Sequence, residues 1–451
     1  MIVDKTSENI RLSSLTEKLR LRLDEDQLTN CMRCGFCLPA CPTFAETGIE
    51  AESPRGRIAL MKAVKDGIMA PDVEFEEQMN HCLGCRACEP ACPADVKYGQ
   101  LIEQTRDAIE DHTETHRGWV KLVRRTAFQT IFPNQKRVRW IGKGLRFYQT
   151  SGMRKLARKT GAMKMFPKHL REMEQILPEV ALHGVVEQIG IRHPAKGDTI
   201  ATVALFRGCL MDVLFADTNI HTVDLLTEAG FEVVIPEQQN CCGAMHAHSG
   251  EVEGARSLAR SNIRVFKAAG VDYIVSNAGG CGALLLEYDH LLHKDAQWKD
   301  DAKWFAERVI DVSDLLVRFG RLLVFPECKE NQSIRITYQD SCHLRNVMRA
   351  SDAPRRLMRQ VNGVEFVEMK EADRCCGSAG TYTLTQPAMS GQILDHKMQH
   401  ARATDAQYLL TSNPGCLLQM MHGINQHGLN GQMKAVHIVD FLHERMCEAD
   451  E

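Results

Sequence analysis

The sequence predicts an α+β multidomain protein. A small, mostly α-helical module wrapped around cysteines comes first, followed by two repeated α/β units, each built on a parallel sheet. Three observations lead there. Of the 18 cysteines in 451 residues, eight crowd between positions 31 and 92, and none occurs from 93 to 208. Further on, Cys209, Cys241, Cys242 and Cys281 recur as Cys342, Cys375, Cys376 and Cys416, at offsets of 133, 134, 134 and 135. A fixed offset over four cysteines marks two copies of one unit. Within each copy, short apolar runs alternate with helical patterns, the signature of βαβ units. The expected boundaries are 1–112 for the module, 113–198 for a linker region, 199–330 for the first unit and 331–451 for the second.

In the module, Glu50–Lys65 and Leu101–Asp111 read as helices, and no alternating pattern marks a strand. In the first unit, Val203–Phe206, Glu232–Ile235 and Tyr273–Ser276 read as strands, and Thr218–Glu228 and Ser257–Ala269 as helices. Cys209, the Cys241–Cys242 pair and Cys281 each follow a predicted strand. Strand ends of a parallel sheet lie along one edge, so these distant cysteines are expected to converge. Helices starting just after them would turn partly positive N-termini toward an anionic group.

Composition narrows the class. Lys and Arg total 55 and Asp and Glu 58, a net charge of −3, with 44% hydrophobic and 25% charged residues. That excludes a disordered chain and a nucleic-acid binder driven by overall charge. The first twenty residues mix charges without an apolar stretch, and no run of 18 apolar residues occurs, so neither a secretory signal nor a membrane span is expected. A chain of this size has no need of disulfides for stability, and many cysteines in a cytoplasmic protein point to metal or redox chemistry.

Cys31-x2-Cys34-x2-Cys37-x3-Cys41-Pro42 is followed by Cys82-x2-Cys85-x2-Cys88-x3-Cys92-Pro93. This is the bacterial ferredoxin spacing, twice. Three thiolates wrap one corner of a [4Fe–4S] cubane, and the fourth, before proline, ligates the other cluster. Cys31, Cys34, Cys37 and Cys92 are therefore expected to hold one cluster, and Cys82, Cys85, Cys88 and Cys41 the second. Gly35 and Gly84 would let the backbone approach sulfide closely. Zinc knuckles place a longer gap between their CxxC pairs.

The repeated sets read Cys209-x31-Cys241-Cys242-Gly243-x37-Cys281 and Cys342-x32-Cys375-Cys376-Gly377-x38-Cys416. Adjacent cysteines cannot both reach one tetrahedral ion without strain, so a multi-atom cluster suits them better than zinc. Structural zinc, a redox disulfide and free thiols stay open. Small residues, Ser378 and Ala379, follow the second Cys-Cys-Gly, where Met245 and His246 follow the first. The sequence thus predicts more backbone N–H···S bonds, and a higher potential, at the second site. His246, His248, His343 and His422 lie near these loops as candidate ligands or proton carriers, although hydrogen-bonded histidine is the simpler reading. Cys328 and Cys447 read as free thiols.

These residues resemble a known family. Cys-x31/32-Cys-Cys-Gly is similar to the cysteine-rich CCG domain of heterodisulfide reductases. The whole order is similar to the iron–sulfur subunits of bacterial glycolate oxidase, further carried by Cys34-Gly-Phe-Cys37, Ser53-Pro-Arg-Gly-Arg-Ile58, Cys375-Cys-Gly-Ser-Ala-Gly-Thr-Tyr382 and Asn413-Pro-Gly-Cys416. Leu284 and Gln419 stand where the heterodisulfide reductase pattern has a further cysteine, so each site offers four thiolates. No GxGxxG, Walker loop or HExxH is present, and hydride removal from a 2-hydroxy acid needs a flavin or similar cofactor. The resemblance thus implies an electron-transfer subunit of a glycolate-oxidising complex, with two [4Fe–4S] clusters, one or two further clusters at the CCG sites, a partner flavoprotein and a quinone-level acceptor. The subunits of lactate or anaerobic glycerol-3-phosphate dehydrogenases, a heterodisulfide-reductase-like subunit, and a zinc-stapled interaction protein are the alternatives.

The linker is the one strong charge anomaly. No acidic residue lies between Glu114 and Glu172, while sixteen Lys and Arg interleave with Trp119, Phe128, Phe132, Trp140, Phe147, Tyr148 and Phe166. A solvated face, docking on an anionic membrane surface through residues 115–171, and a dock for an acidic subunit are the three readings, with no nucleic-acid motif in sight. The expected location is cytoplasmic, with the inner face of the cell membrane as a peripheral site.

Overall fold

A computed structural model describes residues 15–112, 118–326 and 333–447. The module is helical throughout. Its longest helices, Pro54–Lys65 and Tyr98–His112, pack around Met61, Val64, Leu101 and Ile109. Ser53 caps the first of these, accepting a hydrogen bond from the Gly56 N–H, and Pro54 opens it with a preset φ.

Each repeated unit forms a sheet, and the four strands of the second match four of the five in the first. The first holds β1 (Arg192–His193), β2 (Ala201–Phe206), β3 (Phe231–Val234), β4 (Tyr273–Ser276) and β5 (Val309–Asp311) in the order β1-β3-β2-β4-β5. All pairs are parallel except β1–β3, which adds an antiparallel edge. The second holds β6 (Ile334–Tyr338), β7 (Val364–Phe366), β8 (Tyr408–Thr411) and β9 (Lys434–His437) in the all-parallel order β7-β6-β8-β9. Both faces of such a sheet are buried, and alternate residues divide between them. Val203 and Leu205 join Ile336, Tyr338 and Leu410 in a core shared by the two units. Ala204 and Phe206 point the other way, into a core that contains Cys209, Cys241 and Cys242.

The units meet reciprocally. Helix Ala216–Glu228 packs on Ile438–Cys447, and helix Val312–Phe319 packs on Asp352–Met358, the equivalent pair with the units exchanged. The repeat therefore folds as a pseudo-two-fold pair. His437 fastens it from the end of β9, bonding the Asn277 carbonyl at 2.9 Å.

Asp311, at the end of β5, is buried; its Oδ1 accepts the Ser313 N–H at 2.8 Å and its Oδ2 has no hydrogen-bond partner. Burial raises its pKa to about 7. Between about pH 4 and 7 the folded chain keeps a proton there that the unfolded chain releases, so this residue costs stability as pH rises. Asp311→Asn keeps the cap and removes the charge. Its stabilising effect should grow by about 1 kcal/mol from pH 6 to pH 8. Thermal unfolding of both proteins at the two pH values checks this; a gain independent of pH would contradict it.

Candidate metal centres

The two CxxCxxC loops adopt one conformation with glycine in opposite slots. Left-handed backbone occurs on either side of the middle cysteine in both: Arg33 (φ 54°) and Gly35 (φ 90°) around Cys34, Gly84 (φ 65°) and Arg86 (φ 60°) around Cys85. One glycine per loop relieves half the strain, and the arginines are held by partners. Arg86 binds Glu89 twice at 2.9 Å and Glu287 at 2.5 Å, and the Arg33 carbonyl accepts from Arg55 at 3.0 Å. In this geometry the Gly84 N–H donates to Cys82 Sγ at 3.3 Å. Cys41 caps helix Pro42–Thr47, whose proline turns the chain away from the loop.

Cys41 reaches the second loop across the sequence. With Cys82, Cys85 and Cys88 it lines one small cavity, closed by Arg57, Arg86, Pro42 and Tyr98. All four cysteines are buried. The surroundings are cationic. Arg57, 0% exposed, bonds the Gln78 carbonyl at 2.8 Å, and Arg106 bonds the Met79 carbonyl at 3.0 Å. Burial pushes the Cys82 thiol up, but Arg57, Arg106, Tyr98 and the Gly84 N–H outweigh it and hold its pKa below the ordinary value. Such a cavity suits an anionic thiolate-bound cluster. The first loop sits nearer the surface: Cys34 is exposed, Cys31, Cys37 and Cys92 are partly exposed, and Met32 and Phe36 beside them are each 67% exposed.

In each repeated unit the four thiols form a chain. Cys209 meets Cys241 at 3.5 Å, and Cys242 neighbours Cys281; Cys342 neighbours Cys375, and Cys376 meets Cys416 at 3.3 Å. Contact among the thiols together with burial raises the pKa values of Cys209, Cys241 and Cys242 at one site and of Cys342 and Cys376 at the other, so binding iron there would release protons. Gly243 and Gly377 turn the chain with φ of 93° and 87°, and a Cβ on Gly377 would lie 2.8 Å from the Ser390 carbonyl. Cys281 and Cys416 occupy the first turns of helices Gly279–Leu286 and Pro414–Gln426. The expected surplus of N–H···S bonds at the second site is absent. The Ala244 N–H serves Cys242 and the Ser378 N–H serves Cys376, because the glycine turn, not the size of the next residues, aims them. Leu284 is core and Gln419 bonds Ser390 Oγ at 3.2 Å. Among the described residues no three His, Cys, Asp or Glu side chains are arranged around a single metal ion.

The sets adjoin one another. Cys85 of the module and Cys375 of the second unit are neighbouring, interacting thiols in one apolar cluster with Leu83, Tyr382 and Ile393. Asn346 and His343 fasten this junction by bonding the carbonyls of Cys85 (2.9 Å) and Gly84 (3.0 Å). Asn413 spans the two units. Its Oδ1 accepts the Gly280 N–H at 3.0 Å, next to Cys281, and its Nδ2 donates to Cys416 Sγ at 3.6 Å.

The histidines are engaged by protein groups: His246 by the Phe128 carbonyl, His248 by Glu103, His343 by Gly84 and His422 by Glu172. Cys447 is exposed near His443, and Cys328 lies outside the described residues. Sequence reasoning assigned no role to Arg57, Arg86, Arg106 or Asn413. Arg57 and Asn413 stood inside quoted motifs, whereas nothing in a single sequence marks Arg86 or Arg106 as buried.

Family models match three stretches: a 4Fe-4S dicluster domain at residues 27–96, the linker region of the glycolate oxidase iron–sulfur subunit at 119–177, and a cysteine-rich domain at 203–285 and 336–421. The chain is 48% identical to a Bacillus subtilis protein named probable glycolate oxidase iron–sulfur subunit, over 96% of this chain and 97% of that one. It is 28% identical to the glycolate oxidase iron–sulfur subunit of Escherichia coli over 90% and 93%. Lactate utilization protein A of Oceanobacillus iheyensis is 33% identical over 53% of this chain and 96% of its own length. A crystal structure of a hypothetical protein from Helicobacter pylori shares the fold, with a TM-score of 0.51 at 8% identity, covering 98% of this chain and 77% of that one.

Proposed function

We propose, from the premise that this chain belongs to the family of glycolate oxidase iron–sulfur subunits, that it carries electrons from a partner flavoprotein oxidising a 2-hydroxy acid, glycolate first, to a quinone-level acceptor. As an iron–sulfur subunit it works by one-electron chemistry, which thiolate-bound clusters supply when present. In this reading Cys31, Cys34, Cys37 and Cys92 hold one [4Fe–4S] cluster and Cys82, Cys85, Cys88 and Cys41 the other. Cys209, Cys241, Cys242 and Cys281, with Cys342, Cys375, Cys376 and Cys416, hold one or two more.

The observation that carries the reading is the unbroken succession of thiol sets. It runs from the exposed Cys34 loop to the buried Cys41–Cys88 cavity, then through Cys85–Cys375 to the second unit, and through Asn413 to the first. The loop with Met32 and Phe36 is the natural approach for the flavoprotein. Arg57, Arg86 and Arg106 balance negative charge where water is excluded, and the Gly84, Gly243 and Ala244 N–H groups orient thiols. Lactate is the second reading, favoured by the likeness to lactate utilization protein A.

The chain alone has no hydride acceptor. Anaerobically purified and flavin-free, it should leave artificial dyes unreduced with either glycolate or lactate. Adding the flavoprotein that co-purifies with it should start reduction, and the acid that bleaches the chain's visible absorbance names the substrate. Dye reduction by the flavin-free chain would overturn the proposal.

A further inference from the structure

Residues 118–176 form a run of short helices, Gln135–Thr150 packing on the first unit and Lys168–Ile176 on helix Pro414–Gln426 of the second, and their two sides differ. The inner side is neutralised. Helix Gln135–Thr150 turns Val138 and Gly142 onto Val213 and Val180, so closely that a Cβ on Gly142 would lie 2.6 Å from Val213. The arginines on this side have acidic partners. Arg124 meets Glu110 and Glu251, Arg139 meets Glu187, Arg146 meets Glu179 at 3.7 Å, and Arg154 and Arg158 share Glu174, each at 2.8 Å.

The outer side is left unmatched. Lys121, Lys136, Lys143, Lys155, Lys159 and Lys164 are exposed and make no ion pair among the described residues. Between them stand large apolar side chains in water: Trp119, Leu122, Trp140 (74% exposed), Phe147, Leu156 and Phe166. Trp119, Leu122 and Val123 share one face of helix Gly118–Arg125, and Trp140, Ile141 and Phe147 the outward stripe of Gln135–Thr150. Lys143 rests over the Trp140 ring at 5.7 Å. No helix of the described residues is long and apolar enough to cross a membrane.

We propose that this face docks the protein on an anionic lipid surface, lying in the interface without spanning it. Every ion-paired arginine of the linker sits where it meets protein, its planar fork suited to fixed carboxylates, while the open side carries six lysines, mobile point charges, with Arg125 and Arg137 exposed and without an ion pair among them. Headgroups that move need the second kind. Trp and Phe at headgroup depth, flanked by lysine, are the side chains an interfacial helix requires. Protein–protein interfaces enrich arginine and deplete lysine, whereas the open charges here are mostly lysine. This docking is independent of which acid is oxidised, and it would bring the chain to the phase where a lipid-soluble acceptor resides.

The test is co-sedimentation of the full chain with vesicles of phosphatidylcholine alone or mixed with phosphatidylglycerol, at physiological salt. Binding to the mixed vesicles is expected, with weak binding to the neutral ones. Lys136→Glu with Lys143→Glu should weaken it roughly tenfold or more. Trp140→Ala with Phe147→Ala should also release the chain, while both variants keep their visible absorbance. Brominated lipid should quench wild-type tryptophan fluorescence, and less so in Trp140→Phe. Absence of binding to phosphatidylglycerol vesicles, or charge-reversal variants that bind as wild type does, would overturn the proposal whatever the result of the dye assay.

Discussion

Cys41→Ser is expected to strip iron from the set of Cys82, Cys85 and Cys88, some forty to fifty residues downstream, and to spare the loop in which it is written. The reason is spatial. Cys41 sits at the start of helix Pro42–Thr47 and lines the same closed cavity as the three later cysteines. Burial raises its thiol pKa against the Thr43 hydroxyl and the Phe44 N–H, and it lies in the field of Arg57 and Cys82. Cys92→Ser should do the converse and damage the set of Cys31, Cys34 and Cys37. Each variant should lose about half the module's iron, with a different reduced-state spectrum lost in each. Iron analysis paired with low-temperature spectroscopy, using Cys34→Ser and Cys85→Ser as references, decides the matter. If Cys41→Ser loses the same signal as Cys34→Ser, each motif serves its own cluster and the crossed assignment is wrong. The effect should be large, because a serine among three thiolates leaves iron without a soft fourth ligand.

Much of this arrangement could be read before any coordinates. The spacing of the first eight cysteines defines a loop conformation, and the constant offset of the next eight forces two equivalent sheets. The strands Val203–Phe206 and Tyr273–Ser276 were legible because a parallel strand buried on both faces is a continuous apolar run. What could not be read is how the parts meet. Nothing in a single sequence says that Cys85 touches Cys375, 290 positions away, or that Arg86 joins Glu287. Both contacts depend on side chains that look like ordinary surface charges or one more cysteine until the units dock. The expectation that small residues would give the second site more N–H···S bonds failed for a local reason. Gly243 and Gly377 take the same left-handed turn and deliver one backbone donor to the second cysteine of each pair. The linker was half legible: its composition showed the missing acids, but only the fold separated the paired arginines from the open lysines.

Under the proposed function, those unread contacts set an expected order for the two repeated units. The module touches the second unit through thiols, Cys85 on Cys375, and Cys342 is also within the field of Cys85. The first unit's thiols adjoin the second unit through the Asn413 amide, between Gly280 and Cys416. In this relay the second unit's thiols stand between those of the module and those of the first unit, although the module also packs directly on the first unit, through Arg86–Glu287 and Glu103–His248. With glycolate and the partner flavoprotein as reductant, Cys376→Ser should abolish turnover and leave the first unit's thiol site oxidised. Cys242→Ser should abolish turnover equally, yet the second unit should still be reduced. Dithionite, which needs no relay, should reduce the surviving sites in both variants, which separates a broken route from a collapsed domain. Both ferredoxin-type signals should persist in both. If Cys376→Ser allowed substrate to reduce the first unit, the relay would run instead through the Arg86–Glu287 side of the junction, and Asn413 would be structural. If either variant kept full turnover, that unit's four cysteines would serve the fold and not the current.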